Sequence, residues 1–321
     1  MIITLTANPS LDRTVTLTAP LVPGGVHRIA EDATQAGGKG VNVSRALHQA
    51  GEDTLAVLPA GAQDPFTALL AGADLPHRTV PVAGPVRTNL TVVSPPGVTT
   101  KINEPGHALT PAEAETLATA LHGATRPGDF VMLSGSLAPG LPADWYARRI
   151  QELHEAAVPV GVDTSDAPLA ALAAAWRADR CAAPDLLTPN AEELGQLTGA
   201  DGATIEAAAE QGELAPVTEA ARALHAQGVG AVLVTLGAAG AVLATAEGTW
   251  HCAAVSGEVL STVGAGDSAA AGYLLARVRG REEPERLACA VAYGTAAVAL
   301  PGTTIPRPDQ VAVREDLVRA L

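Results

Sequence analysis

Residues Thr262-Val-Gly-Ala-Gly-Asp-Ser268 precede a long apolar stretch of helical spacing. Gly264, Ala265 and Gly266 therefore fall where a helix begins, and their backbone N–H groups can converge on an anion. Asp267 follows in the first helical turn, placed to take the proton of a hydroxyl that attacks a phosphorus held on those N–H groups. A loose phosphoryl-transfer transition state asks little basicity of that carboxylate, and the helix field is expected to lower its pKa. The plainer description of these residues is a helix start with an acidic cap.

Gly37-Gly38-Lys39-Gly40-Val-Asn42 also stands at a helix start. It puts an ammonium where the helix dipole disfavours cations, a cost that suggests a negative ligand; a glycine turn with a solvent-facing Lys is the alternative. It is not a Walker loop, because Gly40 rather than Ser or Thr follows Lys39 and Ala33 occupies the place of the first glycine. Of the 20 cationic residues 18 are Arg, and only Lys39 and Lys101 are Lys. A compact ammonium on a flexible stem can follow a phosphate between states better than a planar fork can, so both positions point to a phosphorylated ligand.

Three further segments complete the chemistry. Ser134-Gly-Ser136 follows an apolar strand, at the carboxyl strand end where open α/β sheets bind ligands. Asn190-Ala-Glu-Glu193 offers an amide and a carboxylate that can arrange water around a magnesium ion, and it reads equally as an N-cap with its capping-box partner. Thr235-Leu-Gly-Ala-Ala-Gly240, with Gly237 and Gly240 at the turn, suits either a hairpin or a backbone approach to a nucleotide.

These residues need a scaffold, and the sequence supplies one. Short β-rich runs at Ile2–Ala7, Thr54–Leu58, Phe130–Ser134, Val158–Asp163, Leu186–Thr188 and Ala231–Leu236 are followed by helical stretches at Val41–Ala50, Pro111–His122, Pro142–Ala157, Val217–Gln227, Ala265–Arg279 and Pro284–Leu300. Such alternation predicts an α/β fold with a mostly parallel central sheet covered on both faces. Residues from about 14 to 34 and from about 78 to 103 break it with alternating Val and Thr, and are expected to form a small β-sheet lid over the strand ends. The whole chain, 1–321, reads as a single domain with the lid inserted in it.

Composition narrows the function. The formal charge is −14 and aromatic residues are 2%, so a nucleic-acid backbone would be repelled and base stacking has little to stand on. The longest apolar candidate, Ala231–Ala246, is broken by Thr235, Gly237 and Gly240 and reads as two strands around a turn rather than a membrane span. The start lacks the basic region of a signal peptide, which leads to the expectation of a soluble cytoplasmic protein. Cys181, Cys252 and Cys289 are too widely spaced for a metal pair and read as buried reduced thiols.

Taken in order, Asn8-Pro-Ser-Leu-Asp12, Gly37-Gly-Lys-Gly-Val-Asn42, Ser134-Gly-Ser136, Asn190-x-x-Glu193 and Gly264-Ala-Gly-Asp267 resemble the PfkB carbohydrate kinases of the ribokinase-like superfamily. The resemblance runs over essentially the whole chain and implies a three-layer α/β/α domain with ATP as co-substrate and Mg2+. It implies that Asp267 is the base and that Gly264, Ala265 and Gly266 form the anion hole for the γ-phosphate. Asp12, Gly37, Gly38 and Asn42 match sugar-binding positions, with Ser136 beside them. Lys39, Arg87 and Lys101 resemble cationic contacts to a sugar phosphate, with Arg28 a further candidate. Asn190 and Glu193 match the motif that arranges magnesium, partly through water, and the nucleotide phosphates. The Thr235–Gly240 turn matches the nucleotide segment, and Thr295 falls where a later helix nears the adenine. Thr188 stands where phosphofructokinases of this kind usually carry Lys. The implied reaction is phosphorylation of fructose 1-phosphate at its C6 hydroxyl, with tagatose 6-phosphate or fructose 6-phosphate as alternative acceptors and a non-catalytic sugar-phosphate sensor as the rival. Dimers joined through the lids are implied as well.

Overall fold

Alternate residues of the central strands point into two different cores, which is why these strands read as unbroken apolar runs. Ile2, Phe130, Met132, Leu186 and Leu233 join one buried cluster, while Ile3, Leu5, Val131, Leu133, Leu187 and Val232 join the other. A computed structural model describes residues 1–321. Its elements in chain order are β1 (Ile2–Thr6), β2 (Ser10–Leu17), β3 (Ile29–Gly37), α1 (Lys39–Gln49), β4 (Thr54–Pro59), α2 (Pro65–Gly72), β5 (His77–Val80), β6 (Arg87–Ser94), β7 (Val98–Asn103), α3 (Pro111–His122), β8 (Phe130–Ser134) and α4 (Trp145–Glu155). They continue with β9 (Val160–Asp163), α5 (Asp166–Ala178), β10 (Leu186–Leu187), α6 (Ala191–Thr198), α7 (Gly202–Glu210), α8 (Ala215–Ala226), β11 (Ala231–Thr235), β12 (Ala241–Thr245), β13 (Gly248–Cys252), α9 (Ala265–Val278), α10 (Glu283–Val298) and β14 (Val318–Ala320).

The main sheet has ten strands in the order β14-β13-β12-β11-β10-β9-β8-β1-β4-β5. From β5 to β11 all neighbours are parallel, and β12, β13 and β14 close one edge antiparallel. Helices α1, α9 and α10 cover one face. Helices α3 to α8 supply the other core, where Trp145 and Trp176 are buried. This is the expected three-layer arrangement. No helix is long and apolar enough to cross a membrane.

The lid is a second sheet of four strands, in the order β3-β2-β6-β7. Its limits differ from the expected 14–34 and 78–103. It reaches back to Ser10 and on to Gly37, and it starts again only at Arg87. Residues 77–80 instead form β5, which pairs parallel with β4 at the edge of the main sheet. Their Thr-Val pattern is the same in either sheet; what decides between them is the partner strand, which lies some twenty residues earlier. The lid carries no aromatic residue. Gln35 Nε2 donates to Thr303 Oγ1 at 2.7 Å, tying the lid to the segment after α10.

Of two smaller expectations, one holds and one changes. Ala231–Ala246 does form two strands around a short turn, Gly237–Ala239. Cys181 is exposed rather than buried, because it sits in a surface turn at Arg180–Ala182, whereas Cys252 is buried and Cys289 partly so.

Candidate active site

Loops after the carboxyl ends of the parallel strands converge below the lid, and α9 and α1 point their N-termini at the same place. Gly264 adopts φ 80°, a left-handed turn open to glycine, and α9 begins at Ala265 with no side chain capping it. Its first N–H groups are therefore free for an anion. Asp267 lies in that first turn and is buried, 6% exposed. Its Oδ2 accepts a hydrogen bond from Asn42 Nδ2 at 2.8 Å, across 225 residues of sequence.

The expectation that the helix field lowers the Asp267 pKa is overturned. Burial, reinforced by the negative charge of Asp163, pushes it up to about 7 against the pull of Lys39 and the Asn42 bond. Desolvation of a fully enclosed carboxylate outweighs a field that is worth typically about 0.3–1 kcal/mol.

Lys39 leads α1, and its Nζ donates to Asp163 Oδ1 at 2.6 Å. Burial opposes its charge, yet Asp163, Asp267 and Glu193 together raise its pKa, so it stays cationic. Asp163 is the site residue that the single-residue reading of the sequence leaves without a role. Its only local signal is its place as the last residue of β9, since its partner lies 124 residues away. Tyr146 holds the loop after β8 by donating its hydroxyl to the carbonyls of Ser134 and Gly135, and Thr164 donates to the latter from the end of β9. Asn8, also unassigned beforehand, donates its amide to the Pro105 carbonyl at 3.1 Å and to Ser136 Oγ at 3.4 Å. It ties the strand-end loop to the returning lid.

Asn190 and Glu193 form the capping box that is one of the two expected readings. Asn190 Oδ1 accepts from the Glu193 N–H at 2.8 Å, and Glu193 Oε2 accepts from the Asn190 N–H at 3.0 Å. The box spends Asn190 Oδ1 but leaves Glu193 Oε1 free. Burial, then Asp163, raise the pKa of Glu193. Carboxylates of Asp163, Glu193 and Asp267 influence one another strongly, yet no three acidic, His or Cys side chains form a ready metal cage. One or two oxygen ligands with water and phosphates completing the shell is the environment that magnesium uses, so the residues fit it. Thr188 is buried and directs its hydroxyl toward the Val162 carbonyl at 3.4 Å.

Asp12 comes from the lid. Ser10 Oγ donates to its Oδ1 at 2.7 Å and Asn89 Nδ2 at 3.2 Å, and burial raises its pKa against those bonds and the charges of Arg87 and Arg45. The carboxylate lies flush on Gly37, where a Cβ would stand 2.1 Å from Oδ2. Arg87 shares the lid face, donating Nη1 to the Glu104 carbonyl at 3.0 Å. Lys101 lies further out on that face, exposed. Gly38 precedes α1 with φ 112°. Thr235, Gly237 and Gly240 line the β11–β12 turn, and Thr295 sits on α10 one residue beyond Gly294, whose Cβ would touch the Ala265 carbonyl at 3.4 Å. Arg28 is not gathered in: it is exposed at the far end of the lid, just before Ile29, which pairs with Leu17.

Comparison with known proteins agrees with this geometry. The pfkB family carbohydrate kinase model matches residues 6–310. The 1-phosphofructokinase of Rhodobacter capsulatus is 34% identical over 97% of this chain and 94% of its own. That of Xanthomonas campestris pv. campestris is 37% identical over 89% and 87%. Phosphofructokinase-2 from Escherichia coli, solved in complex with substrates and products, superposes with a TM-score of 0.86 at 29% identity, covering 96% of both chains. The chain belongs to the pfkB family of carbohydrate kinases.

Proposed function

We propose that the protein transfers the γ-phosphoryl group of ATP to the C6 hydroxyl of fructose 1-phosphate, giving fructose 1,6-bisphosphate and ADP. The observation that carries this is Asp267, held by Asn42 directly after the open N–H turn at Gly264–Gly266. The sugar hydroxyl gives its proton to Asp267 as its oxygen attacks. The N–H groups of Ala265 and Gly266 face the charge on the transferred oxygens, and Lys39 offsets the surrounding carboxylates. Glu193 and Asp163 would hold magnesium, which when bound neutralises nucleotide phosphate charge. The β11–β12 turn and Thr295 flank the nucleotide, while Asp12, Gly38 and Ser136 face the sugar and Arg87 and Lys101 its phosphate. A pure sensor needs no base beside an anion hole, so Asp267 speaks for catalysis.

A second reading, fructose 6-phosphate as acceptor, draws on the likeness to phosphofructokinase-2 from Escherichia coli solved in complex with fructose-6-phosphate. Release of ADP with fructose 1-phosphate, fructose 6-phosphate and tagatose 6-phosphate separates them. The first reading expects the highest kcat/KM with fructose 1-phosphate, and a higher value with either other sugar overturns it.

We further propose a homodimer through the lid. Val15, Leu17 and Val92 are buried on one lid face, and Ile29, Val98 and Ile102 on that same face are 50%, 58% and 56% exposed. An apolar face on a projecting sheet favours a second copy. Leu90 and Val92 share this face, and Val92 is already covered, so Ile102 is the position to charge. Ile102→Asp should shift sedimentation from dimer to monomer and raise the phosphosugar KM. A wild-type protein that sediments as a fully active monomer at micromolar concentration removes the dimer.

A further inference from the structure

The cleft-facing side of the lid carries its polar residues in rows. Gln35, Asp12, Asn89 and Asn103 are partnered across β3, β2, β6 and β7. On this face Ser10 and Arg87 flank that row on one side, and Thr14, Thr91 and Lys101 on the other. Asn89 has so far served only to hold Asp12, and its amide can face only one way. Its Nδ2 donates to Asp12 Oδ1, which also takes the Ser10 hydroxyl, so the atom left over is Asn89 Oδ1. That oxygen is buried and has no hydrogen-bond partner.

Its surroundings sharpen the point. Asp12 spends Oδ1 on both lid donors and keeps Oδ2 free above Gly37. Two acceptors, a carboxylate oxygen and an amide oxygen, thus belong to residues paired across β2 and β6, with no protein donor for the second. Arg87 Nε is a buried donor without a partner two residues along the same strand. Buried acceptors are almost always satisfied, so this one asks for a donor from outside the chain. Adjacent acceptors suit adjacent hydroxyls, whereas an aldehyde, ether or deoxy carbon would leave Asn89 Oδ1 stranded.

We propose that Asn89 is a specificity-determining residue, whose Oδ1 accepts the hydroxyl next to the one held by Asp12, so that the lid selects a vicinal diol on the phosphosugar. The proposal rests on the phosphosugar-kinase reading above and adds which hydroxyl pattern is read and by what. A site built to accept a substrate O–H rejects the analogue that lacks it far more strongly than an apolar pocket rejects a missing methylene.

The test compares wild type with Asn89→Leu, a substitution of similar size with no acceptor, on fructose 1-phosphate and its 3-deoxy and 4-deoxy analogues. Wild type should lose about 30-fold or more in kcat/KM on both analogues, one through Asp12 and the other through Asn89. Asn89→Leu should lose a similar factor on the full sugar, mostly in KM, and discriminate against one of the two analogues by less than about threefold while still rejecting the other, with the KM for ATP unmoved. Asn89→Ser keeps a small acceptor and should recover part of the discrimination; it carries the test if Asn89→Leu does not fold. Equal losses on all three sugars would mean that Asn89 acts only by positioning Asp12, and would overturn the proposal. So would a wild type indifferent to both deoxy analogues. A wild type inactive on every ketohexose phosphate would instead refute the kinase reading itself.

Discussion

Replacing Asp267 by Asn is expected to lower turnover by about 10² to 10⁴ while leaving ATP and phosphosugar binding nearly intact, and to raise the melting temperature at pH 8. The first effect follows from removing a positioned proton acceptor while the Asn42 bond can still be made to the amide oxygen. A variant that keeps more than roughly half of wild-type turnover rejects the base role. The second effect follows from burial. The folded-state pKa of Asp267 is raised from 3.8 to about 7, so the folded chain holds this proton more tightly than the unfolded one. Its contribution to stability is therefore fully present below about pH 4 and is lost as pH rises to 7, above which the buried carboxylate is a standing cost. Each tenfold change in proton affinity is worth about 1.4 kcal/mol, so Asp267→Asn should melt at least about 2 °C higher at pH 8, with the gain shrinking toward pH 4. The same titration predicts that kcat/KM falls as pH drops below about 7. Calorimetry at the two pH values decides the matter: an Asn variant that melts lower at pH 8 would show that the carboxylate stabilises its surroundings.

The two lysines should fail in different ways. Lys39→Ala is expected to cut kcat by about 10² to 10³, because it strips the one ammonium from a cluster that includes Asp163, Asp267 and Glu193, just where phosphate charge must enter. Lys39→Arg should rescue little, since a planar fork cannot take the place of a point charge at 2.6 Å from Asp163. The Lys39 side chain is 38% exposed but that of Asp163 only 5%, so losing the ion pair also leaves a buried carboxylate uncompensated and lowers stability. Lys101→Ala removes an exposed cation on the lid and should raise the phosphosugar KM about ten- to a hundredfold with kcat and the ATP KM unchanged. If Lys39→Ala raised only the phosphosugar KM, its ammonium would belong on the sugar phosphate, the place to which the sequence resemblance assigns it.

The parts of this site that were legible from sequence are those made by short segments. Gly264–Asp267 and Gly37–Asn42 are each a glycine turn plus the first turn of a helix, so backbone geometry and chemistry travel together in a few residues. The Asn42–Asp267 and Lys39–Asp163 pairs were not legible, because their members lie 225 and 124 residues apart in the chain and meet only once the sheet has assembled. The direction of the Asp267 pKa was missed for the same reason: helix position is a local property, whereas desolvation depends on what the rest of the chain packs around it. Helix α5 is hard to read from sequence because Asp-Ala-Pro-Leu-Ala-Ala-Leu-Ala-Ala is nearly all small and apolar and shows little contrast between its faces. Strand β5 is indistinguishable in sequence from a lid strand because four residues carry no information about which sheet they join.

The absence of aromatic residues from the lid has an optical consequence. All three tryptophans, Trp145, Trp176 and Trp250, lie in helices and a strand of the main domain, two of them buried. Intrinsic fluorescence therefore follows the melting of the three-layer core and is blind to whether the lid is open or shut. A melting curve recorded this way would look two-state even if the lid had already detached at lower temperature. A single Trp introduced at Thr99, exposed near the lid tip on the cleft-facing side, would give the lid its own emission against the background from the rest.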